Sequence, residues 1–205
     1  MALRNRVAPD GTFHAVTARG TLMGNRGGRL HDPQTRTLGR ARWRSRAWIC
    51  CEIAFKDRHR SVMGAGYTEF FFLDEVTALA AGHRPCFECR RADALRFREA
   101  WTRADGTRPG PSAPEMDVRL HGERTGERPL ARLGALPDGA MARVGDQVVT
   151  PCKGRLLGWS FNGYAAVAGT DPDALAELLT PPAIVSVLAA GYRPRWHESA
   201  GGIAG

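Results

Sequence analysis

Long apolar runs are missing from this 205-residue chain, and lysine is nearly missing too. No stretch approaches the roughly 20 apolar residues that a membrane-spanning helix needs. The opening residues Met1-Ala2-Leu3-Arg4-Asn5-Arg6 lack the apolar core of a secretion signal. Cysteine is sparse and odd in number: five residues, of which Cys50 and Cys51 are adjacent and Cys86 and Cys89 form a Cys-x-x-Cys. That usage speaks against a secreted disulfide scaffold and for free thiols or metal ligands, so a cytoplasmic protein with no membrane partner is expected. Lys56 and Lys153 are the only lysines, which leaves arginine as the carrier of positive charge.

Codon bias explains a high Arg/Lys ratio but not where the charge sits. Residues 1–60 hold twelve arginines and one lysine against four acids, while the rest of the chain is close to neutral; the net charge is +8. Charge confined to one segment predicts a basic surface with an acidic partner. Arginines cluster at Arg26 and Arg29 in the glycine-rich run 24–29, and at Arg40, Arg42, Arg44 and Arg46.

The pattern along the chain predicts an α+β fold: a zinc-stabilised core with a β-rich N-terminal region, a helix–Cys-x-x-Cys–helix unit, and a β-rich C-terminal region closed by a helix. Residues 1–103 read as the basic zinc-binding core, 104–115 as a Gly/Pro-rich linker and 116–205 as the C-terminal region. Residues 12–18 and 69–72 are strand-like, and 24–29 reads as a loop. Residues 40–55 alternate as one strand, with Arg40, Arg42, Arg44, Arg46, Trp48 and Cys50 on one face. Trp43, Ile49, Cys51 and Phe55 lie on the other, the core side. Asp74 opens a helix that Gly82 closes as its C′ residue, with Pro85 blocking continuation. A second helix after Cys89 buries Phe97 and Trp101 and places Arg90, Arg91, Arg98 and Arg103 outside. Residues 140–144, 147–150 and 156–161 read as short strands. An internal echo relates residues 76–85 to 185–194, each a helix stopped by Ala-Ala-Gly and followed by Arg-Pro.

Cys86 and Cys89 carry the clearest chemistry. A Cys-x-x-Cys turn brings two sulfurs to one tetrahedral metal, with zinc the expected ion, while backbone N–H groups stabilise the thiolates. Cys51 or Cys50 is the expected third ligand, although adjacent strand residues diverge and both rarely bind one ion. The fourth position is open among Cys50, Cys152, His31, His59, His83, His197 and water. Four protein ligands would make the site structural, and an open position would make it catalytic.

The stretch Ala80-Ala81-Gly82-His83-Arg84-Pro85-Cys86-Phe87-Glu88-Cys89-Arg90, with Phe71 and Ala78 before it, resembles the second half of the Ada-type zinc-binding module of methyl-phosphotriester repair proteins. The resemblance covers residues 70–91. It implies a zinc-stabilised α/β element and contact with DNA rather than RNA. That family's upstream Cys-x-x-x-Cys is not present: Cys51 is followed four positions later by Phe55. The methyl acceptor belongs to the missing half, so no residue here inherits methyl transfer.

Two enzymatic readings compete with nucleic-acid binding. Zinc nucleoside deaminases pair a Pro-Cys-x-x-Cys with an upstream His or Cys two residues before a glutamate, which Cys50-Cys51-Glu52 offers. Against this, residues 48–55 alternate like a strand and a helix, not a strand, precedes Cys86. A nuclease would draw its base from His31, Asp32, Lys56, Asp57, His59 or Glu69, none in a diagnostic spacing. The expectation is therefore a zinc-containing nucleic-acid-binding protein. Its Arg40–Arg46 ladder, spaced about 7 Å per arginine, matches the phosphate repeat of a strand.

Overall fold

A computed structural model describes residues 2–57 and 61–201. The first half builds a six-stranded sheet from β1 (Arg6–Val7), β2 (Phe13–His14), β3 (Leu22–Asn25), β4 (Ile49–Cys51), β5 (Phe70–Phe72) and β6 (Arg84–Pro85). Helix α1 (Glu75–Ala80) separates β5 from β6, and α2 (Arg91–Asp105) and α3 (Ala113–Thr125) follow. The second half adds β7 (Leu130–Arg132), β8 (Ala142–Val144), β9 (Gln147–Cys152), β10 (Arg155–Ser160), β11 (Gly163–Ala166), β12 (Leu175–Leu178) and helix α4 (Pro182–Ala189). The strand orders are β2-β1-β5-β3-β4-β6, a mixed sheet, and β11-β10-β9-β8-β12-β7, an antiparallel one, so the α+β class holds with two layers of short strands.

Helix α1 is the hub. All six of its residues are buried: four are apolar and mostly small, while Glu75 and Thr77 are buried with polar partners, Arg90 and Trp159 Nε1. Ala78 packs with Val7, Phe13, Phe70 and Phe72 under the first sheet. Val76 and Ala80 pack with Met141, Leu157 and Tyr164 of the second. Leu79 faces Phe97, Trp101, Met116, Leu120 and Ile184, which join α2, α3 and α4. The alanines are what let three packed layers approach one helix.

Both halves of the sequence echo end in the same hydrogen-bonded cap. Gly82 (φ +78°) and Gly191 (φ +98°) take the left-handed conformation. His83 N–H donates to the Ala78 carbonyl at 2.9 Å, and Tyr192 N–H to the Val187 carbonyl at 3.1 Å. This is the glycine-dependent Schellman closure. Asp74 caps the start of α1 by accepting from Thr77 N–H at 2.9 Å, and also from Tyr164 O–H at 2.9 Å and His197 N–H at 3.0 Å. The second echo thus brings the chain around His197 back to the N-terminus of α1.

Several expectations are corrected. Residues 40–55 do not form one strand: only Ile49–Cys51 pairs. The Arg26 carbonyl instead accepts the Arg44 and Ser45 N–H groups at 2.9 and 3.2 Å, which wraps 40–48 into a bent loop around Arg26. Trp43, assigned to the core face, is 39% exposed. Residues 24–29 are not wholly loop, since Gly24 lies in β3. A Cβ there would fall 2.4 Å from the Ile49 carbonyl oxygen and 2.8 Å from the Phe72 ring, so this glycine serves close strand packing rather than a turn. Strand 12–18 shortens to Phe13–His14. Arg90 is buried, not on an outer face. Helix α3, which the sequence reading missed, begins at Ala113 with a reciprocal capping box between Ser112 and Glu115.

Candidate metal centre

Strands β4 and β6 run parallel, with Ile49 opposite Arg84 and Cys50 opposite Pro85. Cys86 N–H donates to the Cys50 carbonyl at 2.9 Å. This pairing sets Cys51, at the end of β4, beside the turn that follows β6. The sulfurs of Cys51, Cys86 and Cys89 lie within 4.8 Å of one another. A tetrahedral ion with sulfur at about 2.3 Å needs sulfurs about 3.8 Å apart, so the donor set fits one metal ion after a small contraction. Backbone amides support the sulfurs as the turn motif requires: Glu52 N–H reaches Cys89 Sγ and Glu88 N–H reaches Cys86 Sγ, each at 3.4 Å.

The thiols share their protons unevenly. Cys86 is held well below the ordinary thiol value by hydrogen bonds from Cys51, then Cys89, and by the backbone N–H groups of Cys89 and Glu88. Cys51 is pushed up, first by its hydrogen bonds to Cys86 and Cys89 and then by burial. One thiolate with protonated neighbours is the arrangement from which a metal displaces the remaining protons.

Of the four candidate thiols, three come together and Cys50 does not. Pleating turns Cys50 away from Cys51 into the core with Phe70, Phe72 and Ala78, where burial pushes its thiol up. Cys152 lies in a separate core cluster. His31 bonds Thr68 and the Gly64 carbonyl, His83 accepts from Arg26, and His197 contacts Ser199. None of these joins the cluster, and His59 lies outside the described residues. Among the described residues the metal-type cluster is Cys51, Cys86 and Cys89 alone.

The three thiols face a cavity of about 640 Å³, whose wall includes Glu52, Glu69, Phe71 and Phe55. Phe55 therefore borders the cavity at the position where the resembled module carries a cysteine. Glu69 accepts Met63 N–H at 2.8 Å. One objection to a deaminase-like arrangement weakens, because the short strand β6 does run into Cys86. The other stands: Cys51 ends a strand and no helix begins there.

Arg90, next to Cys89, ties this centre to the core. Its side chain is fully buried, with Nη2 2.7 Å from both Glu75 and Asp93 and Nη1 donating to Cys50 Sγ at 3.4 Å. Glu75 also accepts from Tyr192 O–H at 2.6 Å and Arg195 N–H at 2.8 Å. Glu52 is ion-paired with Arg195 at 2.5 Å. Only the pairing of distant elements reveals Glu75 as the partner of Arg90.

The arginines divide into two groups. Arg29, Arg40, Arg42, Arg44 and Arg46 are exposed, and Arg26 is buried. Among the described residues none of the six forms an ion pair, unlike Arg84, which holds Asp117 through two 2.8 Å bonds.

No family model, curated protein or solved structure matches this chain. No helix among the described residues is long and apolar enough to cross a membrane. Fold and site thus define an α+β protein with a three-cysteine cluster suited to a metal ion.

Proposed function

We propose that this protein binds nucleic acid, DNA in preference to RNA, through its arginine loop and carries a structural zinc ion on Cys51, Cys86 and Cys89. The observation that carries the reading is the set of exposed arginines without acid partners. Surface arginines normally find carboxylates in a chain with 21 acids; here Arg29, Arg40, Arg42, Arg44 and Arg46 form no ion pair among the described residues, Arg29 and Arg44 donating only to backbone carbonyls, with Trp43 exposed among them. Guanidinium groups in that state match phosphate oxygens, and an exposed indole suits base stacking. The resemblance to the Ada-type module supports DNA and zinc. Replacing Arg40, Arg42, Arg44 and Arg46 by glutamine should lower affinity for single- or double-stranded DNA. It should also flatten the log–log salt dependence by up to about 3 to 4 in slope. Unchanged affinity and slope in fluorescence anisotropy would sink the reading.

The cavity before the thiols favours one alternative, a zinc-dependent enzyme that hydrolyses nucleic acid or deaminates a nucleoside. A metal on three thiolates with an accessible fourth position supplies an activated water. Glu52 and Glu69 line the same cavity and are the groups placed to handle protons there. Metal-dependent turnover of nucleosides or DNA, lost in Glu69→Gln with zinc retained, would establish the enzyme over the scaffold.

A further inference from the structure

A second cavity, of about 290 Å³, is lined by Arg26, Arg42, Trp43, Trp48 and Arg124 among others. Arg26 is 2% exposed. Its guanidinium sits 3.7 Å from the centre of the Trp48 ring and 4.6 Å from that of Phe13. Its Nε donates to His83 Nε2 at 3.3 Å and its Nη2 to the Gly11 carbonyl at 3.0 Å; both acceptors are neutral. A second guanidinium, that of Arg124, lies 3.9 Å from the same Trp48 ring and donates to the carbonyls of Gly82 and Arg46. Two buried donors in this group have no partner among the described residues: Trp48 Nε1 and Arg124 Nε.

The acids of this cavity are already engaged elsewhere. Asp10 pairs with Arg143 at 3.0 Å. Glu123 pairs with Arg119 at 3.2 Å and accepts Ala183 N–H at 2.9 Å. Arg26, Arg42 and Arg124 are left without a bonded carboxylate among the described residues; Asp117, whose field reaches Arg124, is itself bonded to Arg84. A buried charge with no counter-charge is among the costliest features a fold can carry, and arginine does not escape by losing its proton. Burial, and then Arg124 and Arg42, work against the charge on Arg26. Contact with Trp48 offsets part of this as a desolvated cation–π pair. Three mutually repelling guanidinium groups and an unpartnered indole N–H remain.

We propose that this cavity binds a phosphate monoester, its anionic head held by Arg26, Arg42, Arg124 and the Trp48 indole N–H. A monoester brings nearly two negative charges and three acceptor oxygens, which matches three arginines and the free donors better than a carboxylate does. The volume admits a phosphate and a small attached body. Trp43 at the rim is exposed enough to stack on that body. The site stands apart from the metal centre and shares only Arg42 and Trp43 with the arginine loop, so polymer binding can fail without it.

Titration calorimetry on the full chain tests it with inorganic phosphate, AMP, adenosine, and one short oligonucleotide carrying either a 5′-phosphate or a 5′-hydroxyl. Saturable binding of AMP and phosphate but not adenosine is expected. Trp48→Phe, which keeps the ring and deletes the donor, and Arg42→Gln, at an exposed position, should each weaken AMP about tenfold. The triple variant R40Q/R44Q/R46Q should leave AMP affinity unchanged while weakening the 5′-hydroxyl oligonucleotide. A tenfold preference for the 5′-phosphorylated strand identifies strand ends as the ligand; equal strand affinities beside tight AMP binding identify a free mononucleotide. The proposal is overturned if AMP and phosphate bind no better than adenosine and the 5′-phosphate adds nothing. It is equally overturned if AMP affinity survives both Arg42→Gln and Trp48→Phe.

Discussion

Replacing Arg90 by methionine should destabilise the protein by about 3 kcal/mol, and most of that loss should disappear when Glu75 is neutralised as well. Arg90 has a fully buried side chain bound to Glu75 and Asp93, each at 2.7 Å. Removing one member of a buried pair costs about 3–5 kcal/mol because the other is left as a desolvated charge. Glu75 is that other member, at 1% exposure, but it keeps Tyr192 O–H and Arg195 N–H as donors. Those two bonds place the loss at the lower end of the range. Asp93 is less buried and retains Arg96, so it adds little. In Arg90→Met/Glu75→Gln no buried charge is stranded, and the double variant should be about 2 kcal/mol more stable than the sum of the single losses predicts. The assay is urea unfolding of the four proteins with a common slope. The single Arg90 variant should melt about 6–12 °C lower. Additivity within 0.5 kcal/mol on the measured scale, or an Arg90→Met loss below about 1 kcal/mol, would refute the view that this ion pair ties the metal turn to the core.

Cys51→Ser, Cys86→Ser and Cys89→Ser should each abolish stoichiometric zinc by plasma emission analysis. Cys50→Ala should retain it and lose only about 1 kcal/mol of stability, as deletion of one buried heavy atom does. Gly82→Ala should cost about 1–2 kcal/mol from its left-handed backbone. It should cost more than Gly191→Ala, since a Cβ at 82 meets Arg124 Cδ at 2.7 Å while at 191 the nearest atom is 4.0 Å away; equal losses in thermal melts would count against that difference. Asp117→Ala should cost about 3 kcal/mol or more by leaving Arg84 buried and unpaired, and restoration by the second substitution Arg84→Met would confirm the cause.

Local chemistry was legible wherever a residue's role depends on its immediate neighbours. Asp74 as helix cap, Gly82 as terminator, Pro85 as barrier and the Cys86-x-x-Cys89 turn were all readable, because caps and turns are closed by bonds spanning only a few residues. The α+β class was likewise readable from strand and helix periods. Roles that depend on long-range pairing were not. The arginine alternation of residues 40–46 mimics a strand, yet the Arg26 carbonyl captures two of that segment's amides and bends it into a loop. Gly24 reads as a turn residue, although its use is to admit the Ile49 carbonyl and the Phe72 ring.

What the sequence by itself determined is the inventory: a thiol pair poised on a turn, an excess of arginine in the first 60 residues, and two helices with one shared stop signal. Only the tertiary structure decided between Cys50 and Cys51. Neighbours on a strand point in opposite directions, and the parallel pairing of β4 with β6 selects which of them faces Cys86 and Cys89. It also decided that Arg90 is the buried partner of Glu75, and that Arg26, Arg42 and Arg124 gather near Trp48 with no ion-paired acid among the described residues. Charge pairing is settled by packing across the fold, which residue type and local spacing do not encode.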